Sequence, residues 1–329
     1  MEDKMRTRSA LFAPWAVLTM LVVTACGPQG GDGSDFPSQN VELLVGFAAG
    51  GHNDATARKF AEGLEAELDA NVLVVNREGG GGAIAATEAA NAGADGHTLL
   101  FAPTGAFTSV LLQQDVSYGI EDFRSVEAVA ENAFVIVVPD DSPIESFEDL
   151  EDVDDRMTYS AFGEGHQTHL IGEGIVQGYG LDAEVATFPG GAPALPALVN
   201  GDVDWGVQDI TSALPRVRSG ELRILAISTD YLPDALDEEV PTLGELGFEE
   251  LQTAGSQALV VPADTPQEVY DVLAAASTAV VESDEFVEFV EQSGGAVPDV
   301  EGEAWFSEYM PTELERFRSL FEDLGLEVP

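Results

Sequence analysis

From about residue 41 onward, short apolar runs alternate with segments of helical spacing. VELLVGF (41–47), NVLVVNR (71–77) and TLLFAP (98–103) are brief, rich in branched side chains and bounded by turn formers, which is how buried strands read. Between the first two, ATARKFAEGLEAEL places Ala57, Phe60, Ala61, Leu64 and Leu68 on one helical face; AIAATEAANAG does the same with smaller residues before the third. This βαβαβ order favours a parallel sheet covered by helices. After a longer apolar run, SVEAVAENAFVIVVP, the pattern restarts: MTYSAF, EVATFP, DWGVQD and LRILAIST read as strands, with THLIGEGIVQGYG, GAPALPALVNG and SALPRVRSG as helices between them. One more strand, SQALVVPAD (256–264), precedes purely helical patterns, TPQEVYDVLAAASTAVV, DEFVEFVEQSG and EAWFSEYMPTELERFRSLFEDLG. Closing helices need a sheet to pack on, and the first unit's sheet is the expected host. The expectation is an α/β fold of two lobes, 39–130 with 252–329 forming the first and 131–251 the second, joined by two chain crossings. Ligands of open α/β sheets bind beyond the carboxyl ends of the strands. With two lobes, that place is the cleft between them.

The first 25 residues fall outside this pattern. Lys4, Arg6 and Arg8 precede an apolar stretch from Ala10 to Ala25, the charge order and length of an export signal. It ends Val23-Thr24-Ala25-Cys26, small residues before the only cysteine, resembling the lipobox of bacterial lipoproteins; the alternative is an ordinary residue near a cleavage site. Residues 26–38, rich in glycine and polar residues, suit a flexible tether. No later segment approaches the roughly 20 continuous apolar residues of a membrane span. The expectation is an exported domain held to the membrane by lipid on Cys26.

Charge narrows the partners. The chain of 329 residues carries 60 acidic and 13 basic side chains, a net −47, and after Lys4 its only lysine is Lys59. With 45% hydrophobic residues it folds, so the acidity reads as a solvated surface suited to high salt. Nucleic acid is excluded, since phosphate binding needs basic patches that this chain lacks.

The strand-to-helix turns carry the candidate chemistry. In GFAAGGHNDATAR, glycines let a backbone approach a ligand, and the free N–H groups at the helix start favour an anion; Asn53 and Asp54 are also good N-cap residue types, and a plain capped turn is the alternative. YSAFGEGHQTHL, containing Gly163, Gly165 and His166, is its counterpart in the second lobe. Gly190-Gly191, Gln208-Asp209 and Thr104-Gly105 are further turns of this kind. Two such turns facing each other could hold a small acid by N–H groups without arginine.

FPSQNVELLVGFAAGGHNDATAR, VNREGGGGAIAATEAA, DGHTLLFAPTG, YSAFGEGHQTHLIGE, PGGAPALPALVNGDVDWGVQD, SGELRILAIST and VPTLGELGF follow one family in order and spacing. From Phe36 onward the chain resembles the substrate-binding proteins of tripartite tricarboxylate transporters, the Bug family. The resemblance implies a periplasmic-binding-protein fold of the second type, a monomer without cofactor, that closes over an organic carboxylate. It also implies one large and one small membrane subunit as partners and uptake driven by an ion gradient. Carried onto this sequence, the carboxylate grip falls on Phe47, Ala48, Ala49, Gly50, Gly51 and Asp54, and on Ser160, Ala161, Gly163, Gly165 and His169. Departures are Gly46 for a common proline, His52 and Asn53 for glycine and threonine, and Phe162, Glu164 and His166 for small or amide residues. Pro189 stands where a lysine is frequent. Losing that cation and adding Glu164 weakens the expectation of a multiply charged anion such as citrate; a ligand with one carboxylate, or an amino acid, fits at least as well.

Gly80-Gly81-Gly82-Ala83-Ile84-Ala85 fits a dinucleotide fingerprint, but the following strand ends in Pro103 where an acidic residue is needed. Of four histidines, His52, His166 and His169 sit on the two main turns with Glu164 nearby, a donor set for zinc, which makes metal uptake the alternative function. For catalysis there is no G-x-S-x-G elbow and no strand-end lysine, so no enzyme is expected. Trp205 and Phe162 could line the pocket or belong to the core.

Overall fold

In the computed structural model, which describes residues 36–236, 240–298, 300 and 302–326, β1 (Val41–Val45) lies between β2 (Val72–Asn76) and β3 (Thr98–Pro103), parallel to both. The signal segment 1–25, Cys26 and the tether up to residue 35 lie outside the described residues. Successive side chains of β1 point to opposite faces. Val41, Leu43 and Val45 pack with Phe60 and Leu64 of α1 (His52–Leu68), while Leu44 packs with Ala85 and Ala89 of α2 (Ala83–Ala90). Two short helices, α3 (Thr104–Phe107) and α4 (Ser109–Gln113), follow β3.

The long apolar run is one strand of 17 residues, β4 (Phe123–Pro139), since no glycine or proline interrupts it before its end. The second lobe follows as β5 (Met157–Ala161), α5 (Gln167–Tyr179), β6 (Ala183–Thr187), α6 (Gly191–Val199), β7 (Trp205–Asp209), α7 (Ile210–Arg218) and β8 (Leu222–Ile227). The chain returns through β9 (Ala254–Pro262) to α8 (Gln267–Val281), α9 (Asp284–Gln292), the two-residue β10 (Gly295–Ala296) and α10 (Met310–Asp323). The sheet order is β2-β1-β3-β9-β4-β7-β5-β6, with β8 and β10 also on β4. The two βαβ units are parallel as expected. The crossing strands are not: β9 runs antiparallel to β3 and β4, and β4 antiparallel to β7 and β8. One strand carries the chain out of the first lobe and the other brings it back, so they must oppose.

The last helix departs from the sequence reading, which returned all of 252–329 to the first lobe. Trp305 and Met310 are buried with first-lobe side chains, but Phe317, Leu320 and Phe321 join the second-lobe cluster around Tyr159, Ile175 and Leu251. With 14 residues at about 1.5 Å rise, α10 is about 21 Å long, enough to reach from one core to the other. The chain therefore crosses between lobes a third time. Trp205 is core, fully buried and stacked on Tyr159 with ring centroids 4.8 Å apart. Among the described residues no helix is long and apolar enough to cross a membrane.

Candidate functional site

The turn after β1 is braced from behind by Asp54. Its carboxylate accepts the Gly50 N–H at 2.8 Å, Arg58 Nε at 2.9 Å and Asn76 Nδ2 at 2.9 Å, and Asn76 Nδ2 also donates to the Phe47 carbonyl at 2.9 Å. Burial pushes the Asp54 pKa up, but the hydrogen bonds from Arg58, Gly50 and Asn76 outweigh it and hold it below the ordinary aspartate value. A carboxyl depressed on folding stabilises the fold above the unfolded pKa of about 3.9 and loses that contribution as pH falls through its lower folded pKa. Asp54→Asn is therefore expected to destabilise the protein most at neutral pH and progressively less below about pH 3.9, read by urea denaturation. A pH-independent deficit would contradict the role of the charge.

Beside this turn stand Gly79, Gly80, Gly81 and Gly82, with φ of 127°, 60°, 65° and 103°. Glycine takes such values without steric cost. The close approach also needs glycine on the facing side, because a Cβ on Gly46 would lie 2.6 Å from the Gly82 Cα. The run read above as an incomplete dinucleotide motif thus joins two turns of the first lobe.

The second lobe's turn is fixed by side chains that fold back onto it. Phe162 N–H donates to Thr168 Oγ1 at 2.8 Å, Gly165 N–H to His169 Nδ1 at 2.9 Å, and His166 caps α5 by accepting the Thr168 N–H at 3.2 Å. His166 is buried among the rings of Phe162, Phe47 and Phe134, with centroids 5.5, 6.0 and 6.1 Å away. Burial, aided by His169, pushes its pKa down to about 4, so the ring is uncharged at neutral pH. Contacts between lobes are tight here. A Cβ on Gly105 would sit 3.6 Å from the His166 ring, and one on Gly165 would overlap the Gln113 amide.

Two cavities lie where the turns meet, and Phe47 and Phe162 line both. The outer, about 380 Å³, is walled by Gly46, Gly79, Gly80, Gly81 and Gln114 of the first lobe. Gly163, Glu164, Thr187, Phe188 and Pro189 complete it from the second. The inner, about 10 Å³, lies among Ala48, Gly51, His52, Asn53, Gly190, Gly191, Ala192 and Asp209. That is about the volume one water needs. Asn53 Oδ1 is buried there with no hydrogen-bond partner among the described residues. No lysine or arginine lines either cavity.

A buried polar chain ties the inner cavity to the crossing strands. His52 Nε2 meets Gln257 Oε1 at 3.3 Å, Gln257 Nε2 donates to Asn132 Oδ1 at 2.9 Å, and Asn132 Nδ2 donates to Asp209 Oδ1 at 3.0 Å. Burial raises the Asp209 pKa against the opposing pull of His52 and Asn132. An acid raised on folding makes the protein more stable as pH falls toward its pKa.

Of the residues picked from sequence, Phe47, Ala48, Gly51, Asn53, Gly163, Gly190, Gly191 and Asp209 come together around the cavities. Ala49 and Gly50 are exposed on the first turn's outer side, with Asp54 behind them. Thr104, Ser160, Ala161, Gly165, His166 and His169 line neither cavity. Thr104 Oγ1 donates to the Ser256 carbonyl at 3.0 Å, Ser160 Oγ accepts Gln208 Nε2 at 2.9 Å, and Ala161 is core. Unforeseen as lining were Gly46, Gly79 to Gly81, Gln114, Thr187, Phe188 and Ala192. The GGGG run was a visible signal for the glycines; nothing local marks Gln114. Among the described residues no three histidine, cysteine, aspartate or glutamate side chains are grouped to hold a metal.

Comparison with known proteins agrees with this architecture. The family model described as tripartite tricarboxylate transporter family receptor matches residues 56–326. The chain is similar to the periplasmic binding protein BugD, at 26% identity and a TM-score of 0.83, over 89% of this chain and 99% of that one. It is similar to MatC from Rhodopseudomonas palustris with bound malate, at 25% identity and 0.80, over 87% and 99%. It is also similar to R. palustris Rpa4515 with adipate, at 25% and 0.83, over 88% and 99%.

Proposed function

This chain belongs to the tripartite tricarboxylate transporter receptor family and is a two-lobed solute-binding protein, not an enzyme, and from that premise we propose that it captures a small organic carboxylate between its lobes. The observation that carries the reading is the meeting of three glycine-bearing turns, after β1, β5 and β6, around two neighbouring cavities that no lysine or arginine lines. An anion bound there must be held by N–H groups, and α1 opens with its first turn's N–H groups at the inner cavity. A water in the inner cavity would link the carboxylate to Asn53, as bridging waters do in many sites. In this reading Phe47, Ala48, Gly51, Asn53, Gly163, Gly190, Gly191 and Asp209 surround the ligand, while Asp54, Ser160, Gly165 and His166 hold the turns in place. Malate on MatC and adipate on Rpa4515 support a carboxylate as cargo here.

The finer parts of the proposal are delivery to one large and one small membrane subunit, and anchoring through lipid on Cys26. Cys26→Ser is expected to move the protein from the membrane to the soluble fraction on cell fractionation; retention in the membrane would sink the anchor. The net charge of −47 adds a surface suited to high salt. Raising salt from about 0.1 M to about 1 M shortens the screening length from about 10 to about 3 Å, so the melting temperature is expected to rise steeply. A flat response would contradict it. A thermal-shift screen of mono-, di- and tricarboxylates and amino acids in high salt tests the function itself, because a ligand that binds only the native state raises the melting temperature. No shift with any carboxylate would refute the reading.

A further inference from the structure

We propose that the outer cavity selects the body of the ligand, and that this body is an aromatic ring carrying a single carboxylate. The inference rests on the reading of the cleft as a carboxylate site and names the class of acid it takes. The cavity's about 380 Å³ falls within the ~300–1,000 Å³ typical of small-molecule sites. Phe47, Phe162 and Phe188 project onto it from both lobes, with Pro189 beside them. Gly79 to Gly81 add a stretch of wall without side chains, which leaves room for a ring. Aromatic side chains around a cavity favour a ring, through edge-to-face and offset contacts added to apolar burial.

A second carboxylate finds no cationic side chain there. The outer cavity has no lysine or arginine, and its one charged side chain is Glu164, exposed at the rim. Its neutral polar side chains are Gln114, which gives one Nε2 hydrogen to the Gly80 carbonyl at 3.2 Å, and Thr187. A second carboxylate carried into this cavity would face Glu164 with no opposing cation, and the chain's net −47 opposes it further. Because Phe47 and Phe162 line both cavities, the single carboxylate would sit at their junction, beside the start of α1, with the ring outward.

Calorimetric titration of the protein in high salt with benzoate, phenylacetate, adipate and malate tests this. The expected result is that the better of the two aromatic acids binds at least about tenfold more tightly than either dicarboxylate. Adipate or malate binding as tightly as the aromatic acids would overturn the inference while leaving the carboxylate reading intact; no binding by any of the four would overturn both. Two rim variants place the ring. Phe188→Ala, at a half-buried position, is expected to weaken the aromatic acid about tenfold with an unchanged melting temperature. Pro189→Lys is expected to strengthen adipate about tenfold relative to benzoate. Unchanged affinities in both variants would show that the ring does not sit in this cavity.

Discussion

Gly46→Ala is expected to weaken carboxylate binding by at least about tenfold and to destabilise the fold by about 1–3 kcal/mol, the usual cost of overpacking. The position has an ordinary backbone conformation, so the effect does not come from φ. It comes from a Cβ placed 2.6 Å from the Gly82 Cα and 3.5 Å from the Ala85 Cβ. The first of these is backbone and cannot rotate away. Gly82, at φ 103°, is itself held by the turn that opens α2, so relief requires one of the two turns to move. Both turns wall the outer cavity, and either displacement changes its shape. Calorimetry for affinity and urea denaturation for stability read the two effects separately. Wild-type affinity in a stable variant would show that the turns adjust freely and that their close approach is not part of the site.

Phe321→Ala is expected to cost about 3–5 kcal/mol, the range for truncating a fully buried phenylalanine. The informative part is where the loss is felt. Phe321 lies on α10, whose N-terminal end packs on the first lobe, but its own neighbours belong to the second-lobe core with Tyr159 and Ile175. Hydrogen exchange in the variant should therefore accelerate in β5 and α5 while β1 and β3 keep their protection. Acceleration confined to the first lobe would restore the simpler arrangement in which the chain crosses twice.

That helix shows where the sequence stopped being informative. Its apolar spacing marks it as amphipathic, but spacing cannot say which of two cores the stripe meets, because that depends on distances set by the whole fold. The strands of both βαβ units were legible, since each is a short branched run between turn formers, and their parallel pairing follows from the helical connections. The expected lobe boundary at 130/131 falls inside β4, but the strand's partners were not legible, because they lie far along the chain: Asn132 meets Gln257 across 125 positions and Asp209 across 77. At the candidate site, glycine turns after strands pointed to loops that meet at the cavities, with Phe47, Asn53, Gly163 and Gly190 in their linings. Ser160 shows the limit of that rule. A polar residue near a strand's carboxyl end resembles a ligand contact, yet its hydroxyl faces the neighbouring strand and accepts from Gln208. Asp54 is similar: the resemblance placed it at the ligand, and its carboxylate is filled by Gly50, Arg58 and Asn76.

The central claim, that the cleft grips a carboxylate by N–H groups without a cation, is tested most directly by pairing an acid with its methyl ester. The best-bound acid from the calorimetric titration and its ester share the same body; the ester adds one methyl and removes the charge on the carboxyl group. The account predicts saturable one-to-one binding of the acid and at least about a hundredfold loss for the ester, as expected when charge-assisted hydrogen bonds give way to neutral ones. An ester that binds as tightly as the acid would contradict it.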